Sequence, residues 1–353
     1  MIWLGTAAQG RDNNLNLIRM VAATAVLVSH AWPMTYGVGV IEPLEDFTGH
    51  SLGRLSVYVF FAISGFLVAA SFTRSATLGR FVAARALRLL PGLLVSLLLV
   101  SFVLGPLATT LPLTGYLTNP ATWLAVVNNI TLFSPQFGLP GVFRDNPFPA
   151  VQGSIWTLIH EVLCYVMVFL AGIAGTLRTG WRFVAFIGVY AAIWALSLAL
   201  PDLFPTRAVL LRDLSLPFVL GMAAWVWRNH LPLNIAGVGA LALLALVLRP
   251  TALAYPALIL VLFYATFWLA YVPGGALRAY NRFGDYSYGI YIYAFPLQGL
   301  VVWLWHPATP LTHMLLAFPP TLLAAGLSWH LVEKPALSLL HPAKRRADQT
   351  VRP

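Results

Sequence analysis

Apolar residues run through this chain in stretches of about twenty, separated by short polar or charged segments. A helix rising about 1.5 Å per residue needs roughly that length to cross the hydrocarbon of a bilayer. Ten such stretches stand at about 15–34, 54–72, 86–106, 153–172, 182–200, 209–227, 233–248, 254–272, 284–305 and 312–331. A further one, 120–134 (PATWLAVVNNITLFS), is short and carries Asn128 and Asn129. It reads as an interfacial or re-entrant helix. The pattern predicts an all-α polytopic membrane protein, a bundle of about ten transmembrane helices forming one domain over 1–340, with a short basic tail at 341–353.

Charge orients the spans. The segment 35–53 carries Glu42, Glu45 and Asp46 without Lys or Arg, and the next one carries Arg74, Arg80, Arg85 and Arg88. Arg178 and Arg182, Arg228, Arg278 and Arg282, and the tail's Lys344, Arg345 and Arg346 fall on that same side. Basic residues collect in cytoplasmic loops, so both termini are expected in the cytosol. MIWLGTAAQGRDNN then reads as a cytosolic lead-in. The long region 107–152, punctuated by Pro and Gly, is expected outside. Long ordered loops of this kind commonly serve as lids or binding loops.

Composition agrees with the pattern. Of 353 residues, 59% are hydrophobic and 9% charged, against about a quarter charged in soluble domains. The net charge of +10 is explained by topology rather than by nucleic-acid binding. Nineteen of the 21 basic residues are Arg, whose planar fork grips phosphate through two hydrogen bonds. A single cysteine, Cys164, excludes an intrachain disulfide and a cysteine-based metal cluster.

Titratable groups inside a span are costly and mark candidate chemistry. Arg19 and His30 share the first span, and eleven residues at about 100° each return to within roughly 20° of the same face. They lie roughly 16 Å apart along the axis at that rise per residue, like the two ends of a binding track. His30 is suited to accept a proton; its alternative is a packing histidine. Glu161, in SIWTLIHEVLCYVMVF, stands at comparable depth. It can orient an imidazole, accept a hydroxyl proton or hold a sugar, or else form a structural ion pair. His160 points about 100° away from it and reads as a packing or supporting residue. Arg80, Arg85 and Arg88 bracket the cytosolic start of the third span, either as a positive-inside anchor or as a site for a polyphosphate such as coenzyme A. Ser64 and Gly65 form a small pair that favours close helix packing. Asp285 and Glu333 read as helix-end pairing residues. The sequence holds no zinc motif, P-loop, dinucleotide fingerprint or nucleophile elbow, and no metal is expected.

In order along about 13–336, these segments resemble the acyltransferase-3 family of bacterial membrane proteins. Arg19 through His30 is similar to its R-x10-H signature, FFAISGFL to FFVISGFL, and RFVAARALRLLP to its basic RF…RR…RI.P stretch. SIWTLIHE is similar to WSLxxE, and LVEKP to the closing E-x-P. The resemblance implies a stand-alone, multi-pass enzyme of the bacterial inner membrane. It implies His30 as catalytic residue, Arg19 needed for activity, Glu161 in the site, and Arg80, Arg85 and Arg88 handling an acyl-CoA donor, acetyl-CoA by preference. The acceptor would be a hydroxyl of an extracytoplasmic carbohydrate or glycolipid, such as a lipopolysaccharide sugar. One departure stands out: many relatives have His where this chain has Ala294. The rival reading is a proton-coupled secondary transporter using His30 and Glu161. Such proteins often carry repeated halves, and no internal repeat is visible.

Overall fold

A computed structural model describes residues 2–10, 12–178 and 180–340. The basic tail expected at 341–353 lies outside the described residues. Among these, nine helices are long and apolar enough to cross a membrane. They are α1 (Leu15–Tyr36), α2 (Leu52–Arg74), α3 (Leu78–Ala108), α5 (Gly153–Ile173), α6 (Gly180–Ala199), α7 (Thr206–Val226), α9 (Ala254–Tyr271), α10 (Ser287–Trp305) and α11 (Pro310–Ser338). Between them, α4 (Pro120–Thr131) is the short helix expected near 120–134.

The tenth expected span is α8, Ile235–Leu248, of 14 residues. At 1.5 Å per residue it is about 21 Å long, short of the roughly 30 Å hydrocarbon core. Two boundaries also move. Hydropathy places the third span at 86–106, but the helix begins at Leu78 because the Thr77 hydroxyl accepts the Arg80 amide as an N-cap. The last span runs on to Ser338 through a π-helical turn at Trp329–Glu333.

The chain gathers into two compact units, each built from non-adjacent segments. The first comprises Met1–Ala22, Arg54–Ala76 and His160–Gly284. Asn13 caps the start of α1 by accepting the Leu15 amide at 3.1 Å. Asn14 then donates to the Leu269 and Pro273 carbonyls, both at 2.9 Å, pinning that end to the close of α9. Ile2–Trp3 pairs antiparallel with Pro232–Leu233. The tightest crossing joins α2 and α7: a Cβ added to Gly65 would lie 1.9 Å from the Phe218 carbonyl oxygen, and one on Gly221 would lie 2.1 Å from that of Ala62. Both glycines are there because nothing larger fits, as is usual where membrane helices touch. Pro217 leaves the Asp213 carbonyl without its helical donor, and the Tyr255 hydroxyl supplies one.

The second unit comprises Ala23–Gly53, Thr77–Ile159 and Asp285–Pro353. Its centre is α10, in which 14 of 19 residues are buried. Pro296 frees the Ile292 carbonyl, which accepts from the Ser96 hydroxyl at 3.5 Å. The region expected as a long ordered loop, 107–152, has a core of its own: Tyr116, Ala125, Val142, Phe143 and Val151 pack with Val100 and Leu104 of α3. Tyr116 donates to the Ser101 carbonyl at 2.8 Å, Asn129 and Gln136 close a reciprocal pair at 2.7 and 2.8 Å, and Asn146 donates to the Gly299 carbonyl at 2.9 Å.

Candidate active site

In the second unit the candidate site is centred on His30. Its imidazole meets the Phe295 ring edge-on, with centroids 5.1 Å apart and an interplanar angle of 79°. Phe295 also packs with Met34, Val302, Phe148 and Ala150, so the ordered 107–152 region reaches the ring that faces His30. Nδ1 of His30 is buried and has no hydrogen-bond partner among the described residues. Phe295 also packs closely on Gly153, where a Cβ would come within 2.2 Å of the ring. The 3₁₀ turn Gly153–Thr157 is fastened to α10 by reciprocal Ser154–Tyr291 hydrogen bonds of 3.0 and 2.5 Å, and by a Thr157–Tyr291 hydroxyl contact.

Two polar side chains missed by the sequence reading touch α1 on either side of His30. Gln298 donates to the Leu27 carbonyl at 2.9 Å. His313 lies 3.3 Å from the Thr35 hydroxyl. A polar side chain in an apolar run is a legible signal; its partner across the fold is not. Next to His30, the Ser29 hydroxyl reaches Glu42, whose carboxylate also accepts the Leu52 amide at the start of α2. Burial pushes the Glu42 carboxyl above its ordinary value; the Ser29 hydrogen bond opposes this and the neighbouring Glu45 adds to it.

Arg88 is turned inward in the same unit. Its guanidinium meets Asp285 at 2.5 Å and Glu333 at 3.9 Å and lies 5.9 Å from the Tyr288 ring centroid. Asp285 also accepts the Ser287 amide and hydroxyl, and Glu333 accepts from Ser328 at 2.9 Å. The pairing expected of Asp285 and Glu333 is therefore present. Arg80 is exposed and donates to the Leu340 carbonyl at 3.2 Å, whereas Arg85 is half-buried in the next turns of α3.

The first unit holds the other two candidates. Arg19 lies over the Phe60 ring, 5.9 Å from its centroid. Glu161 accepts from Ser64 at 3.4 Å and from the Tyr165 hydroxyl one turn along α5. Gly65 and Ser64 thus have different tasks, one making room for α7 and the other facing the carboxylate. His160 is buried. Glu161 is joined in this unit by a second acidic group inside a span, Asp213, two turns from the start of α7 and paired with Arg212 at 2.8 Å. No group of three or more His, Cys, Asp or Glu gathers as a metal site among the described residues.

The family model described as "Acyltransferase domain", of acyltransferase-3 type, matches residues 12–330. The chain belongs to the acyltransferase-3 family. It is an acyltransferase, and all the candidate residues except Glu333 fall inside the matched range. An O-acetyl transferase of Shigella phage Sf6 is 31% identical over 340 residues, covering 94% of this acyltransferase and 98% of the phage protein. Nodulation protein 10 of Rhizobium leguminosarum bv. viciae is 25% identical over 381 residues, covering 94% and 95%. No solved structure matches the chain.

Proposed function

We propose that this acyltransferase moves an acyl group, acetyl by preference, from cytosolic acyl-CoA to a hydroxyl of an extracytoplasmic carbohydrate or glycolipid. The supporting observation is His30: a histidine within a membrane helix, set edge-on to Phe295, with a buried ring nitrogen that no group among the described residues satisfies. An unpaired buried nitrogen costs about 1–3 kcal/mol and is retained where a ligand uses the ring. The O-acetyl transferase name of the phage relative supports an oxygen acceptor and an acetyl group.

In this mechanism His30 takes the proton of the acceptor hydroxyl while its oxygen attacks the thioester carbonyl. The carbon–sulfur bond breaks, the coenzyme A thiolate leaves, and the proton passes from the imidazolium to that thiolate. Positioned base catalysis of this kind contributes about 10²–10⁴-fold. Glu161, held by Ser64 and Tyr165, orients His30 or the acceptor. Arg19, lower on the same helix, holds the donor. Of the basic trio at the start of α3, Arg80 and Arg85 take the phosphates directly. Arg88 holds the stretch in place, since its guanidinium is engaged by Asp285. The loop charges support a topology with both termini in the cytosol of a bacterium and the 107–152 region outside, on the side of the acceptor. Labelled acetyl-CoA and cell-envelope glycan supplied to membranes test the reading: transfer of label to glycan that is lost in Glu161→Gln supports it, and label retained in that variant removes Glu161 from the mechanism.

A further inference from the structure

His30 lies in a weak part of its own helix. Pro33 has no N–H to give the Ser29 carbonyl, so the turn carrying His30 lacks a backbone bond on its far side. Two fully buried polar side chains grip α1 on both sides of that break. Before it, the Gln298 amide donates to the Leu27 carbonyl at 2.9 Å. After it, His313 lies 3.3 Å from the Thr35 hydroxyl. Both Gln298 and His313 are 0% exposed. The side-chain oxygen of Gln298, Oε1, has no partner among the described residues. A buried amide kept at that cost is there for the bond its nitrogen makes.

We infer that Gln298, His313 and Thr35 are positioning residues for His30, a clamp that holds the proline-weakened turn at the height where the imidazole works. This rests on the acyl-transfer reading. The bond from Gln298 sets the turn below His30, the bond between Thr35 and His313 sets the turn above, and Phe295, one turn from Gln298 on α10, closes the third side. A displacement of about 1 Å in such a group costs on the order of 100-fold in rate.

Volume-conserving substitutions separate positioning from packing. Thr35→Val and Gln298→Met keep the shape and remove the polar group, whereas Thr35→Ser keeps the hydroxyl and removes a methyl. Coenzyme A release by purified full-length protein in micelles would be measured for each, beside wild type and His330→Gln as a control away from the site. The clamp predicts that Thr35→Val and Gln298→Met lower kcat about 10–100-fold with donor KM within about twofold, that Thr35→Ser stays near wild type, and that thermal midpoints hardly move. Wild-type kcat in both Val and Met variants, with Thr35→Ser the impaired one, would overturn the clamp and leave packing. Absence of turnover in wild type with every donor and acceptor would instead overturn the acyl-transfer reading, and the clamp with it.

Discussion

Replacing Arg88 by Gln separates an arginine that binds the donor from one that holds the fold. Arg88, Asp285 and Glu333 have side-chain exposures of 14%, 9% and 2%, too low for water to take over the charge. Breaking a buried pair by removing one partner costs about 3–5 kcal/mol, mostly from the stranded charge. The loss in Arg88→Gln should fall in that range, because two carboxylates lose the cation they share. Removing Asp285 as well, in Arg88→Gln/Asp285→Asn, should recover part of it, with a coupling of about 0.5–3 kcal/mol. Arg80→Gln and Arg85→Gln should behave differently. Each removes a charge-assisted contact to the donor worth about 1.5 kcal/mol, which is about tenfold in KM for acyl-CoA, with a smaller loss of stability than in Arg88→Gln. Unfolding in micelles and coenzyme A release at varied donor concentration read the two effects separately. An Arg88→Gln protein within about 1 kcal/mol of wild type, with a KM raised as far as in the other two, would refute the reasoning and return Arg88 to the donor site.

Three further outcomes follow from the packing and charge. In Gly65→Ala the new Cβ at 1.9 Å from the Phe218 oxygen must separate α2 and α7 by about 1.5 Å to reach ordinary contact. Overpacking of that kind costs about 1–3 kcal/mol, and an unchanged thermal midpoint would contradict it. Gly153→Ala must displace the Phe295 ring that packs on His30, so activity should fall further than stability; equal losses in both assays would deny Phe295 its part in the site. Because the Glu42 carboxyl is raised, the folded protein holds its proton more tightly than the unfolded chain. That contribution to stability is fully present below the ordinary carboxyl pKa and is lost as pH rises through the raised value. Glu42→Gln should flatten the decline, and an identical pH–stability curve in that variant would show that Glu42 does not cause it.

Much of the architecture is legible from the sequence because a bilayer fixes the length of an apolar run. Hydropathy fails where helix and membrane do not coincide. It begins the third span at 86, past Arg80 and Arg85, although the Thr77 cap starts α3 at Leu78, and the stretch it marks at 233–248 holds a helix of 14 residues. The local candidates, Arg19, His30 and Glu161, could be picked out because a charge in an apolar run is visible without knowing its neighbours. Gln298 and His313 are visible in the same way, but their role is not: their partners Leu27 and Thr35 stand 271 and 278 residues away, and only the fold shows that both grip the helix carrying His30. The pairing of Arg88 is hidden for the same reason, since its carboxylate partner lies 197 residues off and the run RFVAARALRLLP shows only the cations.

The central claim is that His30 carries acyl transfer. Coenzyme A release and label transfer from labelled acetyl-CoA to cell-envelope glycan should be compared in membranes holding wild type or His30→Ala at equal expression. The account predicts release and labelled glycan with wild type, and both reduced at least about 100-fold in the variant, with its thermal midpoint unchanged. Equal label in the two would contradict it.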